Sequence, residues 1–452
     1  MSADVISPDR IRTRFSREMS NMYRHEVPQY GTLLQLVGEI NAGVMAGLPA
    51  DRTLDDTEQA RLDVERHGAI RLGTPEELAT MRDVFAVMGM FPVGYYDLSE
   101  AGVPVHSTAF RPVDETALAR NPFRVFTSLL RLELIDDDQL RDQARRILAA
   151  RDIFTPRLRE LLAEWHQQGG LDDHQADEFV MEALETFRWH SHATVDRPTY
   201  ERLHEAHRLI ADVVCFRGPH INHLTPRTLD IDATQAAMPE HGITPKATIE
   251  GPPRRDCPIL LRQTSFRALE ETILFAGEEA GSHTARFGEI EQRGMALTPR
   301  GRELYDQLLS ASKATTGGLS GEAHQQALAE AFSDFPDDET VLRREGLGYF
   351  RYSLTEQGQQ RTGAETLPED VEALIERGLI RATPIIYEDF LPVSAAGIFQ
   401  SNLGDGGSGQ YTQSANQAAF EEALGASVHD PFELYDAISQ ESLAACRRAL
   451  SH

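Results

Sequence analysis

Hydrophobic positions in the first third of the chain switch between a helical and a strand period. Ile11, Phe15, Met19 and Met22 recur every three or four residues after Ser7-Pro8, which predicts a helix running toward Arg24. Leu33, Leu36, Val37 and Ile40 predict a second helix from near Thr32. Thr74-Pro75-Glu76-Glu77 reads as a capping box with proline at the first helical position, so a helix starts there and runs to about Met88. Residues 94–98 and 103–111 then read as strands separated by the turn Ser99-Glu100-Ala101-Gly102.

From about 113 to 213 the pattern is almost wholly helical, including 138–150, 155–166 and 200–213. Strands are expected at 258–266 and 285–293, with a helix at 233–238 between this region and the helical block. Thr298-Pro299 starts another helix. Beyond it come a strand at 349–354, a helix at 371–380, a strand at 384–391 and helices to the C-terminus. Gly404 to Ser414, rich in Gly, Ser and Gln, reads as a loop. The class is α+β, with strands gathered into a sheet and helices covering it. Without a repeat, long linker or low-complexity segment to mark a boundary, residues 1–452 read as one unit.

Charge narrows the partners. The 452 residues hold 44 Lys plus Arg against 71 Asp plus Glu, a net charge of −27. A field of that sign repels a phosphate backbone and an anionic membrane surface, so neither nucleic acid nor membrane is expected as a partner. The longest uncharged apolar run, 84–96, is too short to span a bilayer and is broken by Gly89 and Pro92. The N-terminal residues lack the apolar core of a secretory signal, which places the expectation in the cytoplasm. Cys215, Cys257 and Cys446 have no CxxC spacing, which fits a reducing compartment. Lys246 and Lys313 are the only lysines, and the arginine that supplies the remaining positive charge binds carboxylates with a two-pronged fork. A small acid is the ligand this favours.

Three places could carry chemistry. In Glu65-Arg66-His67-Gly68-Ala69-Ile70-Arg71, His67 and Arg71 share one face of a helix, or point into one cleft from an irregular turn around Gly68. The plain alternative is a solvent-facing helix end. In Gly218-Pro219-His220-Ile221-Asn222-His223, two imidazoles three apart follow a Gly-Pro break. An extended backbone would turn them to opposite sides, so only one should reach a shared site. In Arg286-Phe287-Gly288-Glu289-Ile290-Glu291, the two carboxylates share a strand face, which is ordinarily solvated. Two histidines and one carboxylate drawn from these segments would form the facial triad that suits non-haem Fe(II). His190 and His192 are outer-shell candidates or helix-end packing.

Long motifs add a resemblance. FSREMSNMYRHEVPQYGTLLQLVGEIN, ERHGAIRLGTPEEL, GYYDLSEAGVPVHSTAFRP, GPHINHLTPRTLDID, ARFGEIEQRGMALTPRGRELYD and YEDFLPVSAAGIFQSNL together resemble the bacterial 2-oxoadipate dioxygenase/decarboxylase family over nearly the whole chain. That family is similar to the vicinal oxygen chelate fold, in which paired βαβββ units curve around a metal. The resemblance implies one catalytic unit, its metal-site strands within about 214–294 and 345–400. Phe287, Glu289, Gln292 and Arg293 are also similar to the Phe-x-Glu-x-x-Gln-Arg strand of 4-hydroxyphenylpyruvate dioxygenases, which selects Glu289 over Glu291.

The resemblance implies His67, His223 and Glu289 as ligands of Fe(II), leaving His220 outside the first shell. It implies that Arg71 grips a substrate carboxylate and that Val393 and Ser394 line the substrate pocket. The implied reaction decarboxylates and hydroxylates 2-oxoadipate with O2, giving 2-hydroxyglutarate and CO2 in lysine catabolism. The competing expectations are the same iron chemistry on another 2-oxo acid, a zinc hydrolase built on the same ligands, and a non-catalytic metal- or ligand-binding protein.

Overall fold

A strand, a helix and three further strands open the first sheet. Residues Arg66–Leu72 form β1 and Pro75–Val87 the helix after it; β2 (Phe91–Asp97), β3 (Val105–Arg111) and β4 (Arg124–Leu130) follow, with the short helix Glu115–Arg120 inserted between β3 and β4. With β5 (Leu224–Pro226) they form a five-stranded sheet in the order β2-β3-β4-β1-β5. The β1–β4 pair is parallel and the other pairs are antiparallel. The computed structural model describes residues 5–49, 54, 56–277, 279–361, 367–391 and 410–451.

Three expectations are corrected here. The segment holding His67 and Arg71 is a strand, not a helix or an irregular turn. β4 lies inside the stretch expected to be almost wholly helical. Its sequence, Arg-Val-Phe-Thr-Ser-Leu-Leu, is buried at every position, and so short a segment, covered on both faces, shows no alternation that separates a buried strand from a buried helix. Elsewhere in that stretch helices do form, at Asp138–Ala149, Pro156–Gln168 and Asp173–Phe187. The helix expected over 200–213 is two helices, Arg197–Ala206 and Arg208–Val214. His207 separates them, and its ring accepts from the Leu209 amide to cap the second.

The first helix spans Pro8–Glu26 and buries Ile11, Phe15, Met19, Met22 and Tyr23. Phe15 meets Phe123 and Phe187 edge to face, with centroids 5.9 and 5.3 Å away. Thr74 caps its helix by accepting from the Glu77 amide. The Glu77 carboxylate, however, accepts from Gly73 at 2.7 Å and pairs with Arg151 at 2.7 Å, so only half of the capping box forms.

A long hairpin, β6 (Leu261–Leu274) and β7 (Ala280–Arg293), follows. Gly288 allows it to close, because a Cβ there would lie 1.5 Å from the Phe266 ring. Farther on, β8 (Phe350–Leu354) pairs antiparallel with β9 (Ile380–Pro384), which begins four residues before the strand expected at 384–391. The preceding helix stops at Glu376, two residues before Gly378 takes the left-handed conformation at φ 67°, which frees the chain to extend earlier. Leu374, Leu379, Ile380, Cys446 and Leu450 form a small core beneath this pair. Of the segment read as a loop, 404–409 lie outside the described residues, and the helix Gln410–Leu424 takes up the rest.

The chain divides into two compact units. Met1–Lys246, Thr264–Glu291 and Pro392–His429 make the first; Ala247–Gln263, Gln292–Leu391 and Asp430–His452 make the second. The five-stranded sheet belongs to the first. Among the described residues, no helix is long and apolar enough to cross a membrane.

Candidate metal centre

Three segments of the first unit run side by side. β5 pairs antiparallel with β1, setting Thr225 opposite His67. On its other side the chain around β5 meets β7: Phe287 donates its amide to Asn222 O at 3.1 Å, and Thr228 donates to Glu291 O at 2.8 Å. Gly68 permits the approach, because a Cβ there would lie 2.5 Å from Ile221 Cδ1 and 2.9 Å from His223 O. Tyr23 crosses from the first helix, and its hydroxyl lies 2.8 Å from Phe287 O and 3.2 Å from Asn222 O. It therefore touches both segments that flank the cluster.

Where these segments meet, His67, His223 and Glu289 each offer an atom, all within 4.8 Å of one another. All three side chains are buried. His67 Nε2 lies 3.0 Å from Glu289 Oε1, and His67 Nδ1 lies 2.9 Å from Glu291 Oε2. Thr225 donates its hydroxyl to Glu289 Oε1 at 3.0 Å. The two acids are therefore buried and turned inward, against the solvated reading of that strand face. Glu289 meets the site side of the His67 ring and Glu291 the back.

Electrostatics separate the two imidazoles. Burial works against charge on both, but Glu291 and Glu289 outweigh it at His67 and raise its pKa above the ordinary value. Burial prevails at His223, lowering it to about 4, so this ring is neutral at pH 7. Burial also works against the Glu289 carboxylate, yet His223 and His67 hold its pKa below the usual range. Among the described residues neither ring nitrogen of His223 has a hydrogen-bond partner, although both are buried. Buried imidazole nitrogens rarely stay unsatisfied. A divalent metal among two imidazoles and a carboxylate would take up Nε2, the nitrogen turned toward Glu289 Oε1 at 3.8 Å, so the donor set fits the expected ion.

The extended segment sends its two histidines to different places. His223 joins the cluster, whereas His220 Nε2 lies 3.5 Å from Asp212 Oδ1 and 3.2 Å from Asn222 Nδ2. Arg71 projects from the same face of β1 as His67, four residues on, or roughly 13 Å along the strand. Its NH1 donates to Asp212 Oδ2 at 2.7 Å. Val393 and Ser394 lie outside the described residues. His190 and His192 are not among the three clustered groups.

Sequence patterns gave no role to Tyr23, Thr225 or Asp212. Asp212 left one trace: an acid set among Leu209, Ile210, Val213 and Val214 on a helix whose residues 209–214 are all buried. Such an acid requires partners, though its own sequence does not name them.

A βαβββ run beside a buried two-histidine, one-carboxylate cluster defines the class: an α+β protein with a candidate metal centre. The sequence model of the 2-oxoadipate dioxygenase/decarboxylase family matches residues 15–402, and the chain belongs to that family. It is 61% identical over 446 residues to the 2-oxoadipate dioxygenase/decarboxylase of Escherichia coli (strain K12), covering 98% of this chain and 99% of the other. The protein of that name from Pseudomonas putida is 59% identical over 456 residues, covering 99% and 98%. A crystal structure of the Pseudomonas putida hydroxyglutarate synthase in complex with 2-oxoadipate is similar with a TM-score of 0.92 at 58% identity. It covers 99% of this chain and 100% of that one.

Proposed function

We propose that this protein is an Fe(II)-dependent dioxygenase that converts 2-oxoadipate and O2 into 2-hydroxyglutarate and CO2, in the cytoplasm and as a step of lysine breakdown. Both atoms of O2 enter the products, one in the new carboxylate and one in the new hydroxyl, so no second reductant is required. The observation that carries this is the buried His67–His223–Glu289 cluster, in a chain 61% identical to a protein named for that activity. The βαβββ run is read as one half of a vicinal oxygen chelate-like arrangement, with β5 and the β6–β7 hairpin on the other side of the metal.

When bound, Fe(II) supplies redox chemistry and open positions for a 2-oxo acid and oxygen. His67, His223 and Glu289 would hold it. Glu291 behind Nδ1 keeps that proton in place and turns the Nε2 lone pair toward the site. Arg71 binds a carboxylate of the diacid, and Val393 and Ser394 line the pocket that admits its length. Burial of the cluster excludes bulk water and strengthens each of these contacts.

The test is anaerobic loading with Fe(II), addition of 2-oxoadipate, then admission of oxygen. Oxygen uptake, CO2 and 2-hydroxyglutarate should appear in equal amounts. Absence of oxygen uptake with every 2-oxo diacid tried would overturn the dioxygenase; turnover of a shorter acid alone would move the substrate.

A further inference from the structure

Behind Arg71 lies a buried row of polar side chains. Tyr200 Oη is 2.9 Å from His283 Nδ1, and His283 Nε2 is 2.9 Å from Asp212 Oδ1. Asp212 Oδ2 accepts from Arg71 NH1 at 2.7 Å. A carboxylate can only accept, so the His283 proton sits on Nε2 and Tyr200 donates to Nδ1. Burial pushes the Tyr200 phenol up to about 12, which keeps that donor proton in place at neutral pH. Burial would also neutralise Asp212, but His220, Arg71 and His283 hold its pKa far below the usual carboxylate range.

These residues come from separate elements. Tyr200 and Asp212 sit on consecutive helices, His283 on β7 and Arg71 on β1. Trp189 stacks on the His283 ring at 10° and meets His220 edge to face, closing the row from the side. A guanidinium on a long flexible stem recognises a carboxylate well only when its plane is fixed in advance. The Asp212 side chain is 7% exposed and the Arg71 side chain 15%. The bond between them thus links a fixed acid to a guanidinium that is the more exposed of the two.

We propose that Asp212, held by His283 and Tyr200, is the positioning residue of the substrate anchor: it sets the plane in which Arg71 meets a carboxylate of the 2-oxo diacid. This rests on Arg71 being that anchor. The row explains why a charge pair is buried beside a site for an anion, since removing Asp212 would leave the positive charge but lose its aim.

The test compares Asp212→Asn, Arg71→Ala and the double variant by calorimetric binding of 2-oxoadipate to protein loaded with Zn(II), alongside KM and kcat with Fe(II). Asp212→Asn should weaken binding and raise KM about tenfold, with kcat and metal content near parental values. Added to Arg71→Ala it should cost nothing further. Parental affinity in Asp212→Asn while Arg71→Ala loses binding, or effects of the two that multiply, would overturn the positioning role alone. Parental affinity in Arg71→Ala would overturn the anchor as well. Tyr200→Phe keeps the ring and the buried acid, and should weaken binding severalfold with metal content and circular dichroism near parental; parental affinity there would remove the outer row from the proposal.

Discussion

Glu291 Oε2 lies 2.9 Å from His67 Nδ1, on the opposite side of the ring from Glu289, which meets Nε2 at 3.0 Å. Two acids on one strand face therefore hold the two sides of one imidazole. Their roles differ, and substitution separates them. Glu289→Ala removes a donor of the cluster and should abolish Fe(II) binding. Glu291→Gln should retain the metal with about 10- to 100-fold lower affinity, the usual loss when a partner behind a ligand is removed. Titration of the metal-free protein with Fe(II) under nitrogen distinguishes them; equal affinities for Glu291→Gln and the parent would deny Glu291 its part.

Tyr23 should matter to stability and metal alike. Its hydroxyl meets Phe287 O and Asn222 O. Tyr23→Phe deletes this buried donor at little change in volume and should destabilise the fold by about 1–3 kcal/mol. Metal affinity should fall with it, because the segments carrying His223 and Glu289 lose a shared tie. Urea unfolding and metal titration read the two effects.

Gly68→Ala should damage the centre more than the sheet. The added Cβ can displace the end of Ile221, but His223 O at 2.9 Å is backbone and has little room to yield. Metal binding should drop at least tenfold while circular dichroism keeps the parental secondary structure. Gly288→Ala, by contrast, meets the Phe266 ring at 1.5 Å and should lower soluble yield outright.

Acid should weaken the fold through His106. Burial, reinforced by Arg131, lowers this imidazole from an ordinary value near 6.5 to about 4. The unfolded chain therefore takes up the proton first as pH falls. His106 contributes its full stability above pH 6.5 and loses it on descent toward 4, a total of about 3 kcal/mol. His106→Gln removes the titration, though it also loses ring packing on Phe420 and the contact with Tyr95. The variant's urea midpoint should consequently fall less than the parent's between pH 7 and 4.5; equal slopes would show that His106 does not titrate in this way.

Local patterns were sufficient wherever one element carried its own signal. Ile11, Phe15, Met19 and Met22 marked a helix because they fall on one side of a 3.6-residue period, and all four are buried there. Thr74-Pro75 marked a helix start because an oxygen cap and a missing amide suit the first turn, and Thr298-Pro299 did the same. Family motifs placed His67, His223 and Glu289 in one set, and the fold brings those three together.

Other features depend on what lies across a sheet. β4 was hidden because burial on both faces erases alternation, and its pairing with β1 and β3 makes it a strand. From spacing alone His220 and His223 were equivalent; the backbone over Gly68 turns one to Glu289 and the other to Asp212. Residue chemistry and motif, read along the chain, were enough to name the side chains that could hold a metal or meet a carboxylate. Tertiary structure decided which side of each ring faces the cluster and which acid stands behind Arg71, because partners 141 residues apart in the chain meet only when the strands and helices close around them.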